Sequence, residues 1–92
     1  MVEKEVRILN RLGLHARPAI LFVQKANEFP CEITIWKGEK QGNAKSISHL
    51  INLKIRQDDL IRLKARGDRE EEALMALTRF LLSEELLSQD SG

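Results

Sequence analysis

The spacing of the apolar residues switches repeatedly between two periods, and this switching constrains the fold more than any other feature of the sequence. Three segments alternate apolar with polar residues, which is typical of strands with one buried face. Three others repeat apolar residues at i, i+3, i+4 and i+7, which is typical of helices with one buried side. Because the two kinds of segment interleave along 92 residues, the sequence predicts one α+β domain, residues 1–92, with helices on one face of an antiparallel sheet.

The alternating segments predict the strands and their two faces. They lie at residues 2–8, 31–36 and 61–66, and the turn "KGEK" leads into a short fourth strand at residues 40–42. In the first strand, the alternation places Lys4 on the inward side with Val2, Val6 and Ile8. The outward residues are polar enough to face water, and they are Glu3, Glu5, Glu32, Thr34, Arg62 and Lys64.

The helical segments carry recognisable ends. The first helix is predicted from Ala16 to about Asn27, and a second of about two turns follows Ser46, whose side chain can cap it by accepting a backbone N–H. The third helix follows the strand at residues 61–66, with Asp68 and Glu71 in the spacing of a capping box. The predicted buried residues are Ala19, Phe22, Val23 and Ala26 in the first helix and Ala73, Leu74, Leu77, Phe80 and Leu81 in the third.

Charge, cysteine content and hydropathy narrow the classes of function. The formal net charge is +1 and basic residues are mixed with acidic ones, so nucleic-acid binding is not expected. The single cysteine, Cys31, excludes an internal disulfide and fits a reducing compartment. The opening residues lack the apolar core of a signal peptide, and the longest apolar run, residues 19–23, is too short to span a bilayer. We therefore expect a cytoplasmic protein without direct membrane insertion, and a frayed tail at about residues 88–92.

The stretch "LGLHARPAI", residues 12–20, is the candidate site. It places His15 where the first helix begins, and a helix start has unpaired N–H groups and a partial positive charge that stabilise anions. The amides of Ala16 and Arg17 are the predicted donors, and the Arg17 guanidinium can bind phosphate oxygens. Gly13 permits a tight approach of the chain immediately before the histidine.

Two interpretations of His15 follow from these residues. Neutral imidazole is a good nucleophile, and its ordinary pKa of about 6.5 leaves much of it unprotonated near neutrality, so His15 could accept a phosphoryl group and pass it on. The alternative is a polar loop residue that happens to lie beside a helix start. The local pattern by itself leaves both interpretations open.

Four motifs carry a resemblance that bears on this choice. "LGLHARPA", "FVQKAN", "KSI" and "EEEAL", at their present separations, closely resemble the histidine phosphocarrier family HPr of the bacterial phosphoenolpyruvate-dependent sugar phosphotransferase system. The resemblance runs over nearly the whole chain. It implies an open-faced β-sandwich, in which a four-stranded antiparallel sheet has three helices on one face.

The resemblance also implies a function and its partners. In that family, a phosphoryl group passes from enzyme I to the δ nitrogen of the histidine, here His15, with Arg17 assisting, and then to an enzyme II A component. The chain would therefore be a stoichiometric carrier and not an enzyme. We expect a monomer that needs no cofactor and no metal ion.

A docking surface is predicted beside the histidine. Ile20 and Gln24 lie one turn apart on a helical face offset from the buried stripe. Ile20 has little reason to be apolar if it faces only water, so together with Ile47 and Ile51 of the second helix it is expected to contact partner proteins. Leu21 belongs either to this surface or to the core. Transient contacts of this kind are small.

Ser46 also has two interpretations. As an N-cap it simply stabilises the short second helix. By resemblance, the matching serine in HPr proteins of many Firmicutes is phosphorylated by an ATP-dependent kinase, which adds HPr kinase/phosphorylase and regulatory proteins to the expected partners. A phosphate at this helix start could be held by the dipole and would repel acidic partner groups near His15.

The chain departs from the familiar pattern after "KSI". Familiar versions often have methionine and glycine there, and glycine before the final isoleucine, whereas "KSISHLINLKI" has Ser48, His49 and Lys54. The less apolar helix keeps open a regulatory phosphoprotein of a nitrogen-related phosphotransferase branch. A rival of another class is a small RNA- or ligand-binding α+β module. His49 lacks the adjoining arginine and proline of the candidate site and is predicted to be an exposed helix residue.

Overall fold

A computed structural model of the chain describes residues 1–9, 13–14 and 16–82. A four-stranded antiparallel sheet has the strand order β1-β4-β2-β3, so the consecutive elements β2 and β3 pair as a hairpin and β1 and β3 are the edge strands. The predicted fold class is confirmed. In chain order, the elements are β1 (Val2–Arg7), α1 (Ala16–Ala26), β2 (Glu32–Lys37), β3 (Lys40–Asn43), α2 (Ile47–Leu53), β4 (Leu60–Arg66) and α3 (Glu70–Leu82).

The sheet has one buried and one open face, as the alternation predicts. The inward residues of the two central strands are buried, and they are Ile33, Ile35, Ile61, Leu63 and Ala65. On the open face, the guanidinium of Arg62 lies 3.8 Å from both Glu3 and Glu5 across the β1–β4 pair. The ammonium of Lys64 lies 5.0 Å from the centre of the half-buried Trp36 ring, a cation–π contact. The face opposite the helices thus carries charged and aromatic groups in contact with one another.

The buried apolar residues of the described part form one cluster between the sheet and the helices. The predicted stripe of α1 is confirmed, because Ala19, Phe22 and Ala26 are fully buried. In α3 the buried residues are Ala73, Leu74, Leu77, Thr78 and Leu81. Phe80 packs against this cluster from its edge, where its ring meets that of Phe22 at 6.0 Å. Within the described ranges, no helix is long and apolar enough to cross a bilayer.

One sequence prediction about local structure is wrong, and another holds in part. Lys4 lies on the same side of β1 as Val2, as predicted, but it is exposed, because β1 is an edge strand and Lys4 lines the open groove between β1 and α3, from which its long side chain reaches water. At the start of α3, the carboxylate that reaches back is that of Glu70, which accepts the Gly67 N–H at 2.9 Å. The predicted box of Asp68 and Glu71 is therefore displaced by one residue.

Helices α1 and α2 pack against each other and run in opposite directions. Just after α1, Asn27 donates from Nδ2 to the Lys45 carbonyl, which lies just before α2, at 3.4 Å. Just before α1, Leu14 donates its N–H to the Ile55 carbonyl, which lies just after α2, at 3.1 Å. The start of α1 is therefore beside the end of α2.

Candidate functional site

Helix α1 begins at Ala16, directly after His15, as the sequence predicts. His15 itself lies outside the described residues. Arg17 is exposed, and Pro18 is buried in the first turn, where the missing N–H removes no bond of the helix. The first amides of any helix have no partner within it, so Ala16 and Arg17 present N–H groups at the positive end of α1.

The segment before the histidine is seated on another part of the chain. Gly13 has φ +68, a conformation that favours glycine. A Cβ at this position would fall on the Ile55 carbonyl oxygen and lie 2.7 Å from the Arg56 Cα. The next residue, Leu14, is buried and donates to the same carbonyl. The tight approach predicted at Gly13 is thus an approach to the backbone that follows α2.

The chemistry available at this helix start is anion binding next to an imidazole. Backbone N–H groups and the helix dipole stabilise negative charge at the tip of α1. The exposed guanidinium of Arg17 adds a permanent positive charge that can bind phosphate oxygens in pairs. A side chain in the position of His15 that carried a phosphoryl group would have these donors in the next two residues.

The predicted docking residues are exposed on neighbouring helices. Ile20 and Gln24 lie on the outer side of α1, and the exposed fractions of Ile20, Ile47 and Ile51 are 48%, 38% and 43%. Ile47 and Ile51 lie one turn apart on α2. Because the helices are antiparallel, Ile51 is nearer the start of α1 and Ile47 nearer its end. Leu21 is only partly buried, so its burial does not assign it to the docking surface or to the core.

Ser46 is the N-cap of α2, so the structural half of its interpretation is confirmed. Its hydroxyl accepts the His49 N–H at 3.4 Å, and its backbone is extended, as N-caps are. Ser46 lies at the opposite end of α1 from the predicted donors Ala16 and Arg17, because it follows Lys45, whose carbonyl accepts a bond from Asn27 just after α1. Ten residue steps of helix, Ala16 to Ala26, span about 15 Å.

Sequence reasoning missed the support that residues 54–59 give to the site. Lys54 ends α2 in the left-handed conformation, with φ 52, where glycine is usual. The sequence marks Lys54 only as a departure from a familiar pattern, and no periodicity identifies the segment that follows it. His49 is exposed as predicted, but its Nδ1 accepts the Asn43 N–H at 2.9 Å and so joins α2 to β3.

Comparison with protein families gives one match, over residues 2–83, to the family PTS-HPr, described as the PTS HPr component phosphorylation site. The match covers most of the chain, including both histidines. The chain belongs to the HPr family. Its relatives in that family carry two different names.

An HPr-like protein Crh from Halalkalibacterium halodurans is 49% identical over 84 residues, covering 91% of this chain and 100% of that protein. The phosphocarrier protein HPr of Neisseria meningitidis serogroup A is 38% identical over 78 residues, covering 85% and 88%. Both relatives carry HPr in their names, and the comparison supports the family and its general phosphocarrier class.

Two crystal structures of HPr from Thermoanaerobacter tengcongensis, each 45% identical to this chain, have the same fold. One superimposes with a TM-score of 0.89, covering 91% of this chain and 94% of that one. The other, described as an HPr dimer, has a TM-score of 0.73 with coverage of 91% and 97%. The open-faced sandwich that the sequence predicts is thus the fold of known HPr structures.

Proposed function

We propose that this protein accepts a phosphoryl group on Nδ1 of His15 from phosphorylated enzyme I and passes it to an enzyme II A component. The observation that carries the proposal is the start of α1 directly after His15, with Arg17 exposed beside it. Membership of the HPr family supports the reaction class. The chain acts as a substrate that is used again and again, and not as a catalyst.

The transfer needs only a nucleophile and donors for the phosphoryl oxygens. The lone pair of Nδ1 attacks phosphorus while the bond from phosphorus to the donor breaks, and the donor leaves with that electron pair. The amides of Ala16 and Arg17 and the Arg17 guanidinium bind the oxygens of the phosphohistidine. In the second step, a nucleophile of the acceptor protein takes the group in the same way, and His15 returns to its starting form.

Partners bind across the exposed isoleucines beside this helix start. Ile20, Ile47 and Ile51 supply apolar contact, and Gln24 supplies an amide at the far end of the surface. A carrier must leave each partner to reach the next, so a small surface suits its task.

The test is transfer of label from phosphoenolpyruvate by purified enzyme I. We expect about one label per chain, stable in base and lost in acid, as for phosphohistidine, and no label on His15→Ala. The chain has only two histidines, so His49→Ala is the matched control and should retain the full label. An unlabelled intact protein, or equal labelling of His15→Ala, would overturn the proposal. Arg17→Ala should be labelled at least about tenfold more slowly, because a charge-assisted phosphate contact is lost.

A second candidate function is regulation through Ser46, and two observations favour it. The Ser46 hydroxyl lies at a helix start, where a phosphate gains dipole stabilisation, and a relative 49% identical is named HPr-like protein Crh, not phosphocarrier. Ser46 lies near the end of α1, about 15 Å along the helix from its start, and charges further apart than the Debye length of about 8 Å are largely screened in physiological salt. A phosphate on Ser46 would therefore act on the partner that spans both sites.

A bifunctional HPr kinase with ATP separates the two functions. An acid-stable phosphate that is lost in Ser46→Ala, and retained in Ser48→Ala, assigns the regulatory role. No acid-stable phosphate on the intact protein excludes that role and leaves transfer by His15 as it stands.

We also propose that the protein works in the cytoplasm as a monomer of 10.6 kDa. Transfer to successive partners requires the docking surface to be free, which a permanent dimer through that surface would prevent. Sedimentation velocity at micromolar concentration tests this point, and a species of twice the mass would contradict it.

A further inference from the structure

The chain that leads towards the site is bonded at its beginning to the loop before β4. Ile8 donates its N–H to the Asp59 carbonyl at 2.9 Å, and its own carbonyl accepts the Asp58 N–H at 2.8 Å. Ile8 is also fully buried. These two bonds fix where the chain leaves the sheet.

The same loop holds the other end of that chain segment. Leu14 donates to the Ile55 carbonyl at 3.1 Å, and Gly13 lies so close to the backbone of Ile55 and Arg56 that a side chain would not fit. Both ends of the stretch from residue 8 to residue 14 are therefore attached to residues 55–59. A shift of that loop would therefore displace Gly13 and Leu14, which shortly precede α1.

One side chain from another strand bridges the two ends of the loop at residues 54–59, which lies between α2 and β4. Lys37, the last residue of β2, donates from Nζ to the Lys54 carbonyl at 2.6 Å and lies 3.0 Å from Oδ2 of Asp59. The same Asp59 oxygen accepts the Arg56 N–H at 2.7 Å. The ammonium thus connects the end of α2, the loop and the end of β2.

The bridge differs from an ordinary surface ion pair. The side chains of Lys37 and Asp59 are 29% and 27% exposed, so both are mostly withdrawn from water. A lysine close to the end of a helix also binds the last carbonyls and interacts favourably with the dipole. Exposed ion pairs add little to the stability of a protein, because water screens the charges and ordering two long side chains costs entropy. Both effects are smaller for Lys37 and Asp59, because their side chains are mostly buried.

We propose that Lys37 is a positioning residue for phosphoryl transfer at His15, because its ammonium holds the loop on which Gly13 and Leu14 are seated. The proposal rests on the function proposed above. Transfer depends on placing the attacking nitrogen to within about 0.5 Å, so a loop that is free to shift slows the step without abolishing binding of the partner.

The chain supplies a matched control for this proposal. Lys45 donates from Nζ to the Phe29 carbonyl, also at 2.6 Å, but at the opposite end of α1. Lys37→Met and Lys45→Met each remove one ammonium from a backbone carbonyl at the same distance, and Lys37→Met also removes the ion pair with Asp59. Only the first removal affects the loop before β4.

Hydrogen exchange tests the positioning without any assumption about function. In Lys37→Met, we expect the Leu14 amide to exchange about tenfold faster relative to the Leu77 amide in the core, which reports global unfolding. In Lys45→Met, the ratio of these two rates should stay at the value of the intact protein. An unchanged ratio in Lys37→Met, or an equal rise in both variants, would overturn the proposal.

Transfer kinetics test its consequence. With enzyme I and phosphoenolpyruvate, Lys37→Met should lower the limiting rate about tenfold and leave KM for the carrier unchanged, whereas Lys45→Met should change neither. Lys37→Arg, which can still reach the carbonyl and the carboxylate, should recover most of the rate. A full rate in Lys37→Met rejects the positioning role. If the intact protein accepts no label, the proposed function fails, while the exchange ratio still decides whether Lys37 fixes the loop.

Discussion

The backbone conformation of two single residues determines how the segments next to α1 and α2 pack against each other. Gly13 lies in the segment before α1 and Lys54 ends α2, immediately before the Ile55 backbone that Gly13 approaches, and both have positive φ. At Gly13 the conformation and the space both require glycine. At Lys54 the conformation favours glycine, yet a lysine occupies it. The two residues therefore predict opposite effects of substitution.

Gly13→Ala should destabilise the protein by roughly 2–4 kcal/mol, because the new methyl group meets the backbone of Ile55 as well as the strain of positive φ. Gly38→Ala is the control, since Gly38 has φ +61 but a methyl group there would meet no atom of the described residues within 4 Å. It should cost only about 1 kcal/mol. Urea unfolding of both variants measures the difference, and equal losses would show that the close approach contributes nothing.

Lys54→Gly should raise the stability by about 1 kcal/mol, because glycine adopts φ 52 without the cost that a Cβ brings. The contacts of the Lys54 backbone, from its N–H to Ile51 and from Lys37 to its carbonyl, remain. Asn52→Gly, inside α2, should have the opposite sign and lose about 0.5–1 kcal/mol. Thermal unfolding monitored by circular dichroism distinguishes the two.

At the scale of elements, α2 and the loop after it matter more than their length suggests. Ser46 caps the start of α2, His49 joins it to β3, and Lys37 binds the carbonyl at its end. A helix of seven residues is too short to be stable by itself, so these bonds to other elements fix its position. The loop at residues 54–59 follows α2 directly, so its position depends on that of α2. Through the bond from Leu14 to Ile55, it in turn positions the segment before α1.

The acid sensitivity of this region follows from Asp59. Partial burial of its carboxyl group raises the pKa, but the hydrogen bond from the Arg56 N–H and the Lys37 ammonium outweigh this, and the pKa lies below its ordinary value. A lowered folded pKa means that the stabilisation is fully present above the unfolded pKa of about 4 and is lost as the pH falls through the folded pKa.

Asp59→Asn should therefore cost about 1–2 kcal/mol at pH 7, because charge-assisted bonds are replaced by neutral ones. The difference from the intact protein should shrink as the pH falls below about 4. Urea unfolding at pH 7 and pH 3 measures it, with Asp68→Asn as the control for a changed net charge at an exposed site. A difference that persists at pH 3 would show that the loss is one of packing.

At the scale of the whole molecule, one hydrophobic cluster connects all the elements that support the site. The sheet supplies its floor through β2 and β4, and the three helices close it from one side. A chain of 92 residues has little stability to spare, so a defect anywhere in this cluster should loosen the whole protein in a single transition.

Leu77→Ala should cost roughly 2–5 kcal/mol, because Leu77 is fully buried and leaves a cavity between α3 and the sheet. Met75, on the same helix, is 61% exposed, and Met75→Ala should change the stability by no more than about 0.5 kcal/mol. Calorimetry should show one transition in each case, lower by about 4–8 °C for each kcal/mol lost. Two separate transitions in Leu77→Ala would mean that the helices and the sheet unfold independently.

The elements and most of their buried faces follow from local patterns in the sequence. Alternation placed Ile33, Ile35 and Leu63 inward, and helical spacing placed Phe22 and Leu77 in the core, because each pattern depends only on neighbouring residues. The sequence also placed His15, by position, directly before the first helix. Alternation placed Lys4 on the same side as Val2, but it carries no information about which strand lies at an edge, where Lys4 remains exposed.

The residues that support the site are identified by contacts between distant segments. Lys37 and Asp59 are far apart along the chain, and nothing in their local sequence relates them to Gly13 or Leu14. Their roles arise because the sheet order and the antiparallel helices bring the end of β2, the end of α2 and the start of α1 to one place. A local pattern records which side of an element is buried, while contacts between distant segments depend on how the elements pack together.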